Sequence, residues 1–190
     1  MRRALGLAAG LTLVATALAP ASSAAAGCLS ARKCEREALI VFDLTVRSPS
    51  RAVPGQEVTY VLDYSTTWTP SFAPYWGYYW VGGSFPKGAR GPSRAVLFDT
   101  AGKRLATFPC GRHADGVWCE TRGRIPNQGR VVLSARLPAK GHGKAAATLG
   151  FDSFDGLNQQ DYARRHTRAQ ARAKFCNYRF KRTVTTKVAS

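Results

Sequence analysis

Cys110 and Cys119 flank a nine-residue step whose centre, Asp115-Gly116, is a turn signal. Thiols on the two arms of a hairpin are placed to oxidise to a disulfide. Zinc is the rival chemistry, but His113 alone between two cysteines supplies neither a second ligand pair nor a C-x-x-C spacing. His113, His142 and His166 sit in polar, turn-rich or basic company, and no serine or cysteine occupies a nucleophile motif. Asp152 and Asp155, in Phe151-Asp-Ser-Phe-Asp-Gly156, lack the alternating oxygen ligands of a calcium loop and read as a strand-to-helix turn. The expectation is a protein that is not an enzyme and carries no metal or cofactor.

Binding chemistry is better represented. Arg164, Arg165, Arg168, Arg172, Lys174, Lys181 and Arg182 crowd the C-terminal part, where Asp161 is the one acid after position 156. They are the anion-binding candidates, with a solvated helix face as the alternative. The whole chain carries a formal charge of +17, a field that favours anionic partners and resists self-association. Between positions 68 and 80 stand seven aromatics with two prolines and little charge. Trp68, Tyr75, Trp76 and Tyr79 are candidates for stacking on sugar rings or anchoring a protein; the alternative puts Tyr78 and Trp80 in a core and the rest over the end of the fold.

These groups need a scaffold, and the pattern supplies strands. After Pro54-Gly55, the alternate residues Val58, Tyr60, Leu62 and Tyr64 give a strand with one apolar face. Similar runs follow at short spacing: Leu39–Val46, Tyr78–Phe85, Arg94–Phe98, Arg104–Phe108, Gly116–Thr121, Arg130–Leu137, Ala145–Phe151 and Tyr178–Val188, punctuated by Pro and Gly. That is the rhythm of an all-β sandwich. Asp161–Lys174, rich in Ala, Gln and Arg and preceded by an Asn158/Asp161 capping pair, predicts a helix of about three turns. It sits in an insertion over 157–174, before the last strand.

At the start, Arg2 and Arg3 precede the apolar run Ala4–Leu18 and a small-residue stretch ending Ala24-Ala25-Ala26. This is the three-part pattern of a secretory signal peptide over residues 1–26. A short segment, 27–38, then leads into a single domain over 39–190. In an exported chain cysteines pair. Cys34 precedes the first strand and Cys176 the last, and in a seven-strand sandwich those strands run the same way, which allows a Cys34–Cys176 bridge. Cys28 follows Ala25-Ala26-Gly27, similar to a weak lipobox; lipidation there would anchor the chain. A Cys28–Cys34 bridge with Cys176 free is the competitor.

Val53-Pro-Gly-Gln-Glu-Val-Thr-Tyr60, Ser84-Phe-Pro-Lys-Gly88, and Cys110 through Cys119 followed by Gly123-Arg-Ile-Pro126 together resemble the bacterial conserved repeat domain, also called domain of unknown function eleven. The resemblance covers roughly Leu39 to Phe151. It implies an immunoglobulin-like β-sandwich of about seven to nine strands on a secreted or wall-associated protein, and it brings no catalytic residues. The aromatic stretch from Trp68 replaces the family's usual residues after the second strand. The expected partner is an anionic cell-wall polymer or an envelope protein, with carbohydrate as the alternative. Export and the lack of a groove-reading motif disfavour nucleic acid, and a membrane enters only through a lipidated Cys28.

Overall fold

A computed structural model describes residues 40–68, 79–121, 125–154, 166–174 and 177–189. Among them are ten strands: β1 (Ile40–Arg47), β2 (Arg51–Ala52), β3 (Glu57–Trp68), β4 (Tyr79–Ser84), β5 (Arg94–Phe98), β6 (Arg104–His113), β7 (Gly116–Glu120), β8 (Gln128–Arg136), β9 (Gly143–Phe154) and β10 (Asn177–Val188). One helix, α1 (Arg168–Lys174), stands just before β10. The strands join in the order β1-β3-β8-β5-β6-β7-β4-β9-β10-β2, antiparallel throughout except for β10 with β2.

The ladder folds into the two layers of an immunoglobulin-like sandwich at β6. Arg104–Pro109 pair with β5 in the first sheet, and Cys110–His113 pair with β7 in the second. The strand therefore crosses from one layer to the other beside a proline, which cannot donate to a ladder. On β3 the alternation decides the facing: Val58, Tyr60, Leu62 and Tyr64 are buried while Glu57 and Thr59 are exposed. They meet Val81, Leu149, Phe151 and Phe180 of the second sheet in one core. Burying alternate residues of both sheets against each other is what removes their apolar faces from water.

Ten strands exceed the seven to nine expected. The additional piece is β2, two residues too short for any periodicity, whose Ala52 fills the core while its backbone pairs with Lys187 and Val188. β6 also continues to His113 instead of stopping at Phe108, because its second half finds a new partner in β7.

β1 and β10 lie in opposite layers and run in the same direction. Near one end the Phe42 and Phe180 rings stack at 4.3 Å; near the other the Thr186 hydroxyl donates to Ser48 Oγ at 3.2 Å. Cys28, Cys34 and Cys176 lie outside the described residues.

The bridge between Cys110 and Cys119 is present and joins directly paired residues of β6 and β7. The hairpin turn is Ala114-Asp115, with Gly116 already opening β7. By loop entropy, a bridge spanning nine positions contributes about 2 to 3 kcal/mol. Replacing both cysteines by alanine is expected to lower the unfolding free energy by that amount, read from the urea midpoint of oxidised wild type against the variant. A midpoint that does not move would show that the hairpin is held by its ladder alone.

The helix begins later than its composition suggests. His166 and Thr167 are not helical; Thr167 is the cap, its Oγ accepting from the Gln170 amide at 3.3 Å while Gln170 Oε1 accepts from the Thr167 amide at 2.8 Å. This is a capping box. The expected cap at Asn158 and Asp161 lies outside the described residues. Seven residues are too few for a helix to stand alone, so α1 depends on what it touches.

Candidate functional site

α1 rests on the outer face of the second sheet. Arg168 is 3 % exposed and Ala171 fully buried. The Arg168 guanidinium makes a two-pronged contact with the Asp115 carboxylate, Nη1 to Oδ1 at 2.7 Å and Nη2 to Oδ2 at 2.9 Å. On its other side Nε donates to Asp152 Oδ2 at 2.8 Å and Nη2 donates to the same oxygen. The Trp118 ring lies 3.9 Å beneath Arg168 Cζ, and its indole N–H donates to Asp115 at 3.1 Å. Arg172 adds a bond to Asp115 at 2.9 Å, and Arg179 Nε approaches Asp152 Oδ1 at 3.4 Å.

The sheet makes room for this cluster with glycine. Across the strands, Trp118 stands in register with Gly82, Gly150 and Lys181. A Cβ on Gly150 would fall 1.8 Å from the Phe180 carbonyl oxygen, and one on Gly82 2.2 Å from that of Val117. β4 and β9 thus hold no side chain beside the indole in this row.

Charge follows the geometry. Hydrogen bonds from Arg168 outweigh burial and hold the Asp115 carboxyl well below the usual carboxylate range. For Asp152 burial is the larger influence and pushes the carboxyl up, against the pull of Arg168. Burial, with Arg168 close by, lowers His113. Breaking a buried pair of this kind by removing one partner is costly, whereas forming it gains little over well-packed apolar groups. The cluster is a clasp for α1.

That clasp corrects one of the anion-binding candidates. Arg168 is buried and spent on two carboxylates, so it cannot meet an external anion, and Arg172 is half-buried against Asp115. Lys181 lies 5.0 Å from the Trp118 ring and is half-buried, as is Arg182. Arg164 and Arg165 lie outside the described residues, as does the side chain of Lys174.

The aromatic candidates need a correction too. Tyr79 is 9 % exposed and belongs to the core, edge-on to Phe151 at 6.2 Å. Burial pushes its hydroxyl up to about 12. Trp80 is buried on the opposite face of the same strand. Tyr75 and Trp76 lie outside the described residues, and so does the side chain of Trp68. Among the described residues no cluster of His, Cys, Asp or Glu is placed to hold a metal; Asp152 is engaged by Arg168, and Asp155 lies outside them.

Lys187, one of the basic residues of the last strand, belongs to a second set of cations whose other members, Lys144 and Arg51, are remote from it in sequence. Lys187 on β10 pairs in register with Lys144 on β9 and with Arg51 on β2. Their neighbours Thr186, Ala145 and Ala52 face inward, so all three point outward, and all three are exposed. Further along this face stand Thr185, Thr183 and Thr148, the last two joined hydroxyl to hydroxyl at 2.8 Å. Among the described residues, no acid lies on β2, on β10 or on β9 before Asp152. The first sheet is different: Asp63 binds both Arg47 and Arg130, and Glu57 stands opposite Arg136. Hydrogen bonds from Arg130 and Arg47 overcome burial and hold Asp63 below its ordinary range.

No protein-family model and no curated protein matches the sequence. Among solved structures, the KRT10-binding region domain of the pneumococcal serine-rich repeat protein PsrP is similar over 78 % of this chain and 98 % of its own, at 8 % identity and a TM-score of 0.38. AggA, the major subunit of aggregative adherence fimbriae type I from Escherichia coli, is similar over 78 % of this chain and 95 % of its own, at 10 % identity and a TM-score of 0.36. At these scores neither likeness assigns this chain a ligand.

The sequence signal that would have found the cation row is parity. Lys144 and Lys187 each alternate with inward-facing residues, but their pairing is a matter of register, which no local pattern carries.

Proposed function

We propose that the chain is an exported, non-catalytic interaction module of the cell envelope that binds anionic surface polymers through the outer face of its second sheet. The observation that carries this reading is the acid-free row of Lys144, Lys187 and Arg51. Like charges directly opposite each other on neighbouring strands repel, and here the described residues supply no carboxylate on those strands to relieve them. An external anion does so. The chain's excess of basic residues, 28 against 11 acidic, steers such a polymer toward the protein, and the signal-peptide pattern of residues 1–26 directs the chain to where such polymers are found.

Retention of the protein on purified cell wall, measured at about 50 mM and about 500 mM salt, tests the reading, since contacts between exposed charges are screened within a few ångströms at the higher value. Full retention at low salt with release at high salt is expected. Retention that ignores salt would point instead to the aromatic stretch around Trp68, Tyr75 and Trp76, and no retention would dismiss both.

A further inference from the structure

We infer that the polymer bound by this face is a linear phosphodiester, a chain of polyol phosphates, laid across β9, β10 and β2; this rests on the polyanion reading above. The donors decide the chemistry. Two of the three cations are lysines, compact point charges with three rotatable donors that meet phosphate oxygens without a fixed geometry, and the third is an arginine, whose planar fork matches phosphate as well as carboxylate. Beside them stand the hydroxyls of Thr148, Thr183 and Thr185. Ammonium and hydroxyl groups together are the ordinary company of phosphodiester oxygens.

The spacing and the surface agree with that choice. Lys144, Lys187 and Arg51 occupy successive strands, so their backbones are about 4.8 Å apart, and long side chains fan out from that row to meet charges repeated along a flexible chain. Between the row and Lys181 the outward positions are Ala146, Thr148, Thr183 and Thr185, a flat, small-residue surface. It presents no large apolar side chain to enter a bilayer and no aromatic ring to stack on a base. An anionic membrane and single-stranded nucleic acid therefore fit this face less well than a polymer whose charges lie on an unadorned backbone.

The test measures binding of the mature chain to poly(glycerol phosphate), to polygalacturonate of matched charge, to vesicles containing phosphatidylglycerol and to single-stranded DNA. The wild type is compared with an Arg51→Gln/Lys144→Gln/Lys187→Gln variant and a Thr148→Val/Thr183→Val variant, all at exposed or half-exposed strand positions that tolerate the exchange. The phosphate polymer should bind tightest, about 10-fold over polygalacturonate. The triple variant should lose about 100-fold, with a salt slope shallower by about two to three counterions. The threonine variant should lose about 5-fold for the phosphate polymer alone, at unchanged salt slope.

A triple variant that binds like wild type would overturn the location of the site. Polygalacturonate bound as tightly as the phosphate polymer would overturn the phosphodiester assignment and leave the polyanion reading standing, whereas tighter binding to vesicles or DNA, which carry phosphodiesters on other frameworks, would overturn the polyol-phosphate chain as the occupant. No binding of either polymer at low salt would remove the polyanion reading itself.

Discussion

Replacing Arg168 by alanine is expected to cost about 3 to 5 kcal/mol, the loss that follows when one partner of a buried ion pair is left behind. Asp152 is fully buried, and without Arg168 the ion pair left to it among the described residues is the longer one with Arg179, at 3.4 Å. The same change strips the two-pronged bond from Asp115 and the cation from above Trp118. Urea unfolding followed by tryptophan fluorescence reads the effect. Arg168→Lys should fall between wild type and alanine, because an ammonium cannot fork onto two carboxylates. Pairing Arg168→Met with Asp152→Asn should recover much of the loss, since the isolated charge is then gone. An unchanged midpoint in Arg168→Ala would mean that the clasp contributes nothing.

Phe42→Ala is the second large effect, again about 3 to 5 kcal/mol. The ring packs against Phe180 at 4.3 Å and Phe151 at 5.1 Å in the second sheet, and against Tyr64 at 6.0 Å in its own. Among the described residues β1 has one ladder partner, β3, so this edge leans on its contacts across the layers, of which the Phe42 ring makes the largest aromatic share. Amide exchange should show β1 losing protection before β8 does, and Phe42→Leu should cost well under half as much. Uniform loss over all strands at the full cost would instead place Phe42 in the common core without a special hold on β1.

What the sequence makes legible is the framework: one-sided alternation in β3, the turn residues between strands, and the hairpin that joins Cys110 to Cys119. What it hides is whatever depends on register or on a partner far along the chain. Arg168 looks like one more cation on a basic helix, and its burial is decided by Asp152 and Asp115, 16 and 53 positions away. Tyr79 and Trp80 defeat the rule of alternation for a physical reason. That rule assumes one wet face, whereas β4 has the core on one side and Trp118 with the α1 cluster on the other. The cation row is invisible for the third reason, since Arg51, Lys144 and Lys187 meet only through strand pairing.

The parallel run of β1 and β10 has a mechanical meaning. Ile40 stands at the end where Asn177 stands and Val188 at the other, so Ile40 and Val188 mark opposite ends of the sandwich. Tension applied between those two points pulls along the strands. It loads the β1–β3 ladder, eight residue pairs from Ile40 to Arg47, and the β9–β10 ladder, twelve pairs from Asn177 to Val188, in shear, so that many bonds resist together instead of opening one after another. Under force the unfolding rate governs survival, and here it is set by two ladders that must give way as wholes.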